Sequence, residues 1–315
     1  MAVPDRRPPG VAHLRPGENM PAHPAHRRAV TALTLATTAM LILTGCIGPT
    51  DPDHDTQVAL EHIHGLAENP GTGGLLIASH GGIYQLDALT RDAELTGPIA
   101  GNDFDAMGFT AAGGALYASG HPGKNSPGHF GSGNLGLIRS DDGGDTWQNV
   151  SLAGEADFHD LTVSPRDPNR IYVNNFGIVH RSDDGGHSWN NGAGIDAWDI
   201  LVDPADPDVI YATTSTGLHI SRDGGRTFTL EPEAPRMVLI AAFSDGRLVG
   251  AGTDGQLVYQ APSGNWASGS ELGTGLQALT TTKADGVIVA EDRGIRLFTS
   301  PDSPGQVLFR PDPHL

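Results

Sequence analysis

Six histidines and a row of aspartates are the residues of this chain whose types and spacing could do chemistry. His62 and His64 stand two apart at the front of the stretch HIHGLAENP, so on an extended strand both rings point to one side. His80 ends the next short apolar run, His121 and His129 lie in the segment GHPGKNSPGHFGSGN, and His159 stands in DFHDLTVSP. Carboxylates keep the same company: Asp103 and Asp105, Asp157 and Asp160, Asp196 and Asp199. Neutral imidazoles with carboxylates form the donor set of zinc, copper or another divalent ion. Alternatively, two of Asp105, Asp160 and Asp199 could form the protonated and ionised carboxyl pair that glycoside hydrolysis needs. Neither spacing is as diagnostic as a paired Cys-x-x-Cys or a His-Glu-x-x-His, so the outcome depends on what the elements bring together.

Those elements are announced by a repeat. SDDGGDTW (140–147), SDDGGHSW (182–189) and SRDGGRTF (221–228) are copies of one motif, their starts separated by 42 and 39 residues. Asp142, Asp184 and Asp223 can accept backbone N–H groups inside a tight turn that starts from Ser140, Ser182 or Ser221. The glycines, Gly144, Gly186 and Gly225 among them, permit positive φ there. Trp147, Trp189 and Phe228 then offer a large ring for burial between neighbouring sheets. The pattern resembles the Asp-box, or bacterial neuraminidase repeat. That resemblance implies a β-propeller in which each box joins the third and fourth strands of a blade, on the face away from any active site.

With the boxes as rulers, six units of about 40 residues can be phased. Their inner strands open at HIHGLAENP, DFDAMGFT, DFHDLTVSP, DAWDILVDP, RMVLIAAFS and GLQALTTTK, and the second strands follow as GLLIASH, GALYASG, RIYVNN, VIYATT, RLVGAGT and GVIVAED. The expected fold is all-β: a propeller over residues 58–315, six blades of four antiparallel strands, with seven blades as the alternative. Val58–Leu60 could add a strand to the last blade, and Ser300-Pro301-Asp302 reads as the remnant of a box. On this scaffold the six histidines fall on the channel-mouth face, all from blades 1 to 3, whereas His180, His187 and His219 fall on outer strands or box turns.

The N-terminal region reads as targeting sequence. Residues 1–19 are rich in Pro, Arg and Gly without apolar periodicity and precede a second methionine, Met20, as a mis-assigned or disordered leader would. Residues 20–45 carry Arg27 and Arg28, an apolar run from Ala29 to Leu43 too short to span a bilayer comfortably, and then Thr44-Gly45-Cys46. The ending Leu43-Thr44-Gly45-Cys46 resembles the bacterial lipobox, which implies lipidation of Cys46 and a membrane anchor on the extracytoplasmic face, with residues 46–57 as the tether. Cys46 is the chain's single cysteine, so no disulfide forms within it. Residues 1–45 hold five of the 19 basic and two of the 37 acidic residues, which leaves 14 against 35 beyond them. Such acidity argues against nucleic acid as a partner. Only two lysines, Lys124 and Lys283, amid abundant Ala, Asp and Gly suggest a GC-rich bacterial genome.

The resemblance also raises functions. Sialidases, which carry such boxes, use three arginines at the channel mouth and a tyrosine nucleophile; here only Arg236 opens an inner strand, Arg293 is available from the blade 6 loop, and Tyr84, Tyr117, Tyr172, Tyr211 and Tyr259 fall inside strands. A sialidase is therefore disfavoured. A carboxylate-pair hydrolase, as in xyloglucan-cleaving relatives of the repeat family, remains as the enzymatic reading. The preferred reading is a binding module like the Vps10-type and photosystem-assembly propellers, holding a metal ion, glycan or protein at a His/Asp-rich mouth.

Overall fold

The computed structural model describes residues 60–311. The expected leader, signal segment, Cys46 and tether lie outside the described residues. Within them the chain forms six four-stranded antiparallel sheets whose strands pair in sequence order, which is the six-bladed propeller. No helix among these residues is long and apolar enough to cross a membrane.

The inner strands are Ile63–Glu68, Asp105–Ala112, Asp160–Val163, Ala197–Val202, Met237–Ala242 and Ala278–Thr281. Second strands carry the densest apolar runs: Leu75–Ser79, Leu248–Gly252 and Val287–Glu291 are buried throughout. Outer strands such as Gln148–Ser151 are largely exposed and polar. The gradient explains the sequence pattern, because a strand covered on both faces needs near-continuous apolar residues and an outer strand does not.

The core is divided among the interfaces between blades. Leu76, Ala78 and Ile83 of blade 1 pack on Phe104, Leu116 and Ala118 of blade 2, and a separate cluster joins Ile63 and Ile77 to Ala278, Ile288 and Leu297 of blade 6. The ring closes through that second cluster and two hydrogen bonds, from Ile63 N to Gln277 Oε1 at 2.6 Å and from Lys283 N to Glu68 Oε2 at 2.7 Å. Blade 6 completes itself with its own outer strand, Gln306–Phe309. Leu60 packs beside this junction outside any strand, while Val58 and Ala59, expected to add a strand with it, lie outside the described residues.

The three SxDxG segments fold identically. Each serine hydroxyl donates to the aspartate Oδ1 at 2.8 Å and accepts the N–H of Gly144, Gly186 or Gly225 at 2.8–2.9 Å. Each aspartate also accepts the N–H and hydroxyl of Thr146, Ser188 or Thr227 at 2.6–2.9 Å. These hydrogen bonds hold Asp142, Asp184 and Asp223 below the usual carboxylate range. Trp147 is buried, donates Nε1–H to Gly144 O and meets Phe104 edge-on at 5.3 Å. Trp189 packs on Phe158 at 5.4 Å and Phe228 joins the cluster between blades 3 and 4. At Ser300-Pro301-Asp302 the bonding differs: Asp302 accepts the hydroxyl of Tyr259 from blade 5.

Candidate metal centre

The mouth is built where the inner strands begin. In blade 1 the pairing of inner and second strands shifts between Ile63 and Gly65, which makes His64 the extra residue of a β-bulge. The bulge, rather than plain alternation, aims His64, and its ring meets that of His62 with centroids 4.8 Å apart. Gly65 lets the strand press against blade 2, since a Cβ there would stand 3.0 Å from Phe109 Cβ. The same shift recurs at Ala106/Gly108, Ala197/Asp199 and Met237/Leu239, always at the mouth end of an inner strand.

His80 follows the second strand of blade 1, and Asp105 reaches over from the first residue of the next inner strand. His64 Nε2 lies 3.3 Å from His80 Nδ1 and 3.4 Å from Asp105 Oδ1, and His80 Nδ1 lies 2.8 Å from Asp105 Oδ2. A tetrahedral ion with bonds of about 2.0–2.1 Å has ligands about 3.3 Å apart, so two of these three spacings already match a coordination polyhedron. Asp105 Oδ1 is buried and makes no hydrogen bond. His64, whose side chain is 10% exposed, has its pKa lowered to about 4, first by burial, against the charge of Asp105 and with neighbouring imidazoles adding to the effect. Its ring is therefore neutral at physiological pH, the form that ligates metals. His62 stands beside the group, its centroid 5.9 Å from that of His80. His64, His80 and Asp105 offer three donor atoms all within 4.8 Å of one another, and the group could hold a metal ion.

The other histidines part into two sets. His121, the last residue of the second strand of blade 2, and His159 both approach Asp157 Oδ2, through Nε2 at 3.1 and 2.9 Å. Gly120 makes the approach of His121 possible, because at φ +140° a Cβ would collide with Asp105 O. His129 departs from the expectation for the mouth. It lies in the short helical turn Gly128–Phe130, where Nε2 bonds Trp147 O at 3.0 Å and its carbonyl accepts from Asn149 Nδ2. Its role is to fasten the long loop of blade 2 to the outer strand, away from the other five. Asp103 anchors the same loop by accepting from Asn125 N and Nδ2.

The three carboxyls weighed for hydrolysis do not gather in one open cleft. Asp105 is engaged with imidazoles, while Asp160 and Asp199 line a channel cavity of about 160 Å³ with His64, His159 and Gln277. That volume is below the range of ordinary ligand pockets. Asp199 Oδ2 accepts Ile240 N at 2.8 Å, bridging blades 4 and 5. Burial pushes its pKa up to about 7 despite that bond, and burial together with the charge of Asp199 raises that of Asp160 well above the carboxylate range. Asp157 is the residue that sequence reasoning under-used. It stands two before His159, the spacing that singled out His62 and His64, and carries the second cluster.

No protein-family model matches the chain, and no curated protein sequence matches it. Among solved structures, a GH74 xyloglucanase from Xanthomonas campestris is similar at 18% identity and TM-score 0.52, over 80% of this chain and 46% of that one. A chain of a nidogen/laminin complex is similar at 14% identity and TM-score 0.56, over 76% of this chain and 93% of the other. YCF48 from Cyanidioschyzon merolae matches at 14% identity and TM-score 0.43, over 67% and 73%. The chain spans between a third and a half of the first two GH74 chains it matches. The first two likenesses agree with the propeller fold and assign no activity.

Proposed function

We propose that this chain is an exported, lipid-anchored propeller of the Asp-box type that binds a divalent transition ion at its mouth. His64, His80 and Asp105 hold the ion, with His62 as the fourth ligand. The observation that carries the reading is the convergence of two imidazole nitrogens and a carboxylate from two blades at near-tetrahedral spacing. Imidazole-rich donors with one carboxylate suit Zn(II) or Cu(II) rather than the hard ions Mg(II) and Ca(II). The membrane anchor rests on Leu43-Thr44-Gly45-Cys46, and the role it gives the domain is capture of an ion, or of a partner bearing one, at the outer face of the cell membrane. Native mass spectrometry of residues 47–315, with and without zinc or copper sulfate, tests it. Binding of ion by the parent and its loss in a His64→Ala, His80→Ala variant is the expected result; equal uptake by the two proteins sinks the reading.

Hydrolysis is the second reading, favoured by one observation, the pair of carboxyls with raised pKa in the channel. It predicts release of sugar from aryl glycosides or oligosaccharides and loss of that release in Asp160→Asn and Asp199→Asn. Absence of turnover across such a panel disposes of it.

A further inference from the structure

The histidines of blades 2 and 3 form a group of their own. His121 Nε2 and His159 Nε2 converge on one oxygen of Asp157, and the other oxygen, Oδ1, is buried with no hydrogen-bond partner. Every salt-bridge partner of Asp105 and of Asp157 among the described residues is a histidine. Buried carboxylate oxygens are ordinarily satisfied; Asp105 Oδ1, Asp157 Oδ1 and, deeper in the channel, Asp160 Oδ2 make no hydrogen bond, and of the three only Asp105 and Asp157 form salt bridges with imidazoles.

The backbone that carries this second group is fixed. Phe158 N donates to Ser119 Oγ at 2.8 Å, and the Phe158 ring is buried against Trp189, so Asp157 and His159 project from a locked residue. Asp105 and His121 are directly paired across the inner and second strands of blade 2. Residues so paired have Cα atoms about 4.5–5.5 Å apart. One strand pair thus supplies a carboxylate to the first group and an imidazole to the second.

We propose that the mouth holds two metal sites side by side, and that His121, Asp157 and His159 form the second, for the same borderline divalent ions as the first. This rests on the reading that the mouth binds such ions at all. The second site is the weaker. It has three ligands rather than four, its imidazoles are 48% and 64% exposed against 10% and 40% for His64 and His80, and Asp157 Oδ2 stands between the two nitrogens and must swing aside to admit an ion. An ion in the first site also repels the second.

Titration with zinc chloride, followed by calorimetry and native mass spectrometry of residues 47–315, separates the two claims. The expected result is two ions per chain, the second bound roughly tenfold or more weakly, one being lost in a His121→Ala, His159→Ala variant whose remaining site keeps its affinity within about threefold. A His64→Ala, His80→Ala variant should keep one ion at the weaker affinity. Thermal unfolding near that of the parent guards against misfolding, and His121 and His159 are exposed enough for that to hold. Two ions in the His121→Ala, His159→Ala variant overturn the proposal. So does a single ion in the parent that survives those substitutions, which leaves the first site standing. A single ion lost in both variants also overturns it, since the four substituted histidines would then serve one site, and no ion at all removes both readings.

Discussion

Two faces of the ring use aspartate in opposite ways. On the box side, Asp142, Asp184 and Asp223 each accept three or more hydrogen bonds from their own turn and sit below the ordinary carboxylate range. On the mouth side and in the channel, Asp105, Asp157 and Asp160 each keep a buried oxygen without a hydrogen bond, and Asp160 and Asp199 resist ionisation. A carboxylate whose lone pairs are already spent on backbone and hydroxyl donors has nothing left for a ligand. One with an unspent oxygen among imidazoles does. Satisfaction, more than residue type or count, divides the aspartates committed to a turn from those with an oxygen to spare.

The largest effect should come from breaking the box side. Trp147 is 3% exposed and fills the gap between blades 1 and 2, so Trp147→Ala should cost about 3–5 kcal/mol of stability, as other buried aromatic truncations do. Zinc binding measured well below the unfolding midpoint should stay within about threefold of the parent's. Asp105→Asn tests the reverse. Loss of an outer partner of a metal ligand typically costs 10–100-fold in affinity, so replacing the charged ligand itself should cost about 100-fold or more, with little change in thermal stability. If Asp105→Asn lowers the unfolding midpoint markedly yet leaves zinc affinity intact in the folded domain, the division between the faces fails.

The channel gives a pH signature of intermediate size. Asp199 has a folded-state pKa of about 7, raised from 3.8. A raised acid contributes its full share below pH 4, where both states are protonated; between pH 4 and 7 the unfolded chain releases a proton that the folded chain keeps, and stability falls. An Asp199→Asn variant, whose amide oxygen can still accept Ile240 N, should escape that loss. It should match the parent near pH 4 and exceed it at pH 8 by on the order of 1–2 kcal/mol, less than the full value of the shift because water in the channel eases the charge. Denaturant unfolding at the two pH values checks this, and a parent that gains stability over the same range contradicts it.

Much of this architecture was legible in the chain. The three SxDxG segments set the period, and the alternation of runs such as DAWDILVDP and VIYATT located inner and second strands, because burial from both sides leaves a direct apolar trace. The aim of individual rings was less so. His62 and His64 do meet, but through a bulge at His64 that period-two reasoning does not contain. The burial of Asp160 and Asp199 depends on how narrow the channel is, which six inner strands decide jointly and no single strand reveals. His129 looked like its five companions because the loop GHPGKNSPGHFGSGN gives no hint of folding back on its own outer strand.

His129 therefore supplies the mildest and most discriminating test. Its ring bonds one carbonyl, Trp147 O, and lies against Phe130 with centroids 4.5 Å apart. His129→Ala should cost about 0.5–1.5 kcal/mol, the usual worth of one hydrogen bond. Zinc stoichiometry and affinity should be indistinguishable from the parent's. The long loop could reach the mouth only by giving up the contacts of His129 with Trp147 and Asn149, so a loss of one bound ion in this variant would mean that the loop rearranges on binding. The mouth would then be a six-histidine site assembled by its ligand, instead of two sites set in place by the blades.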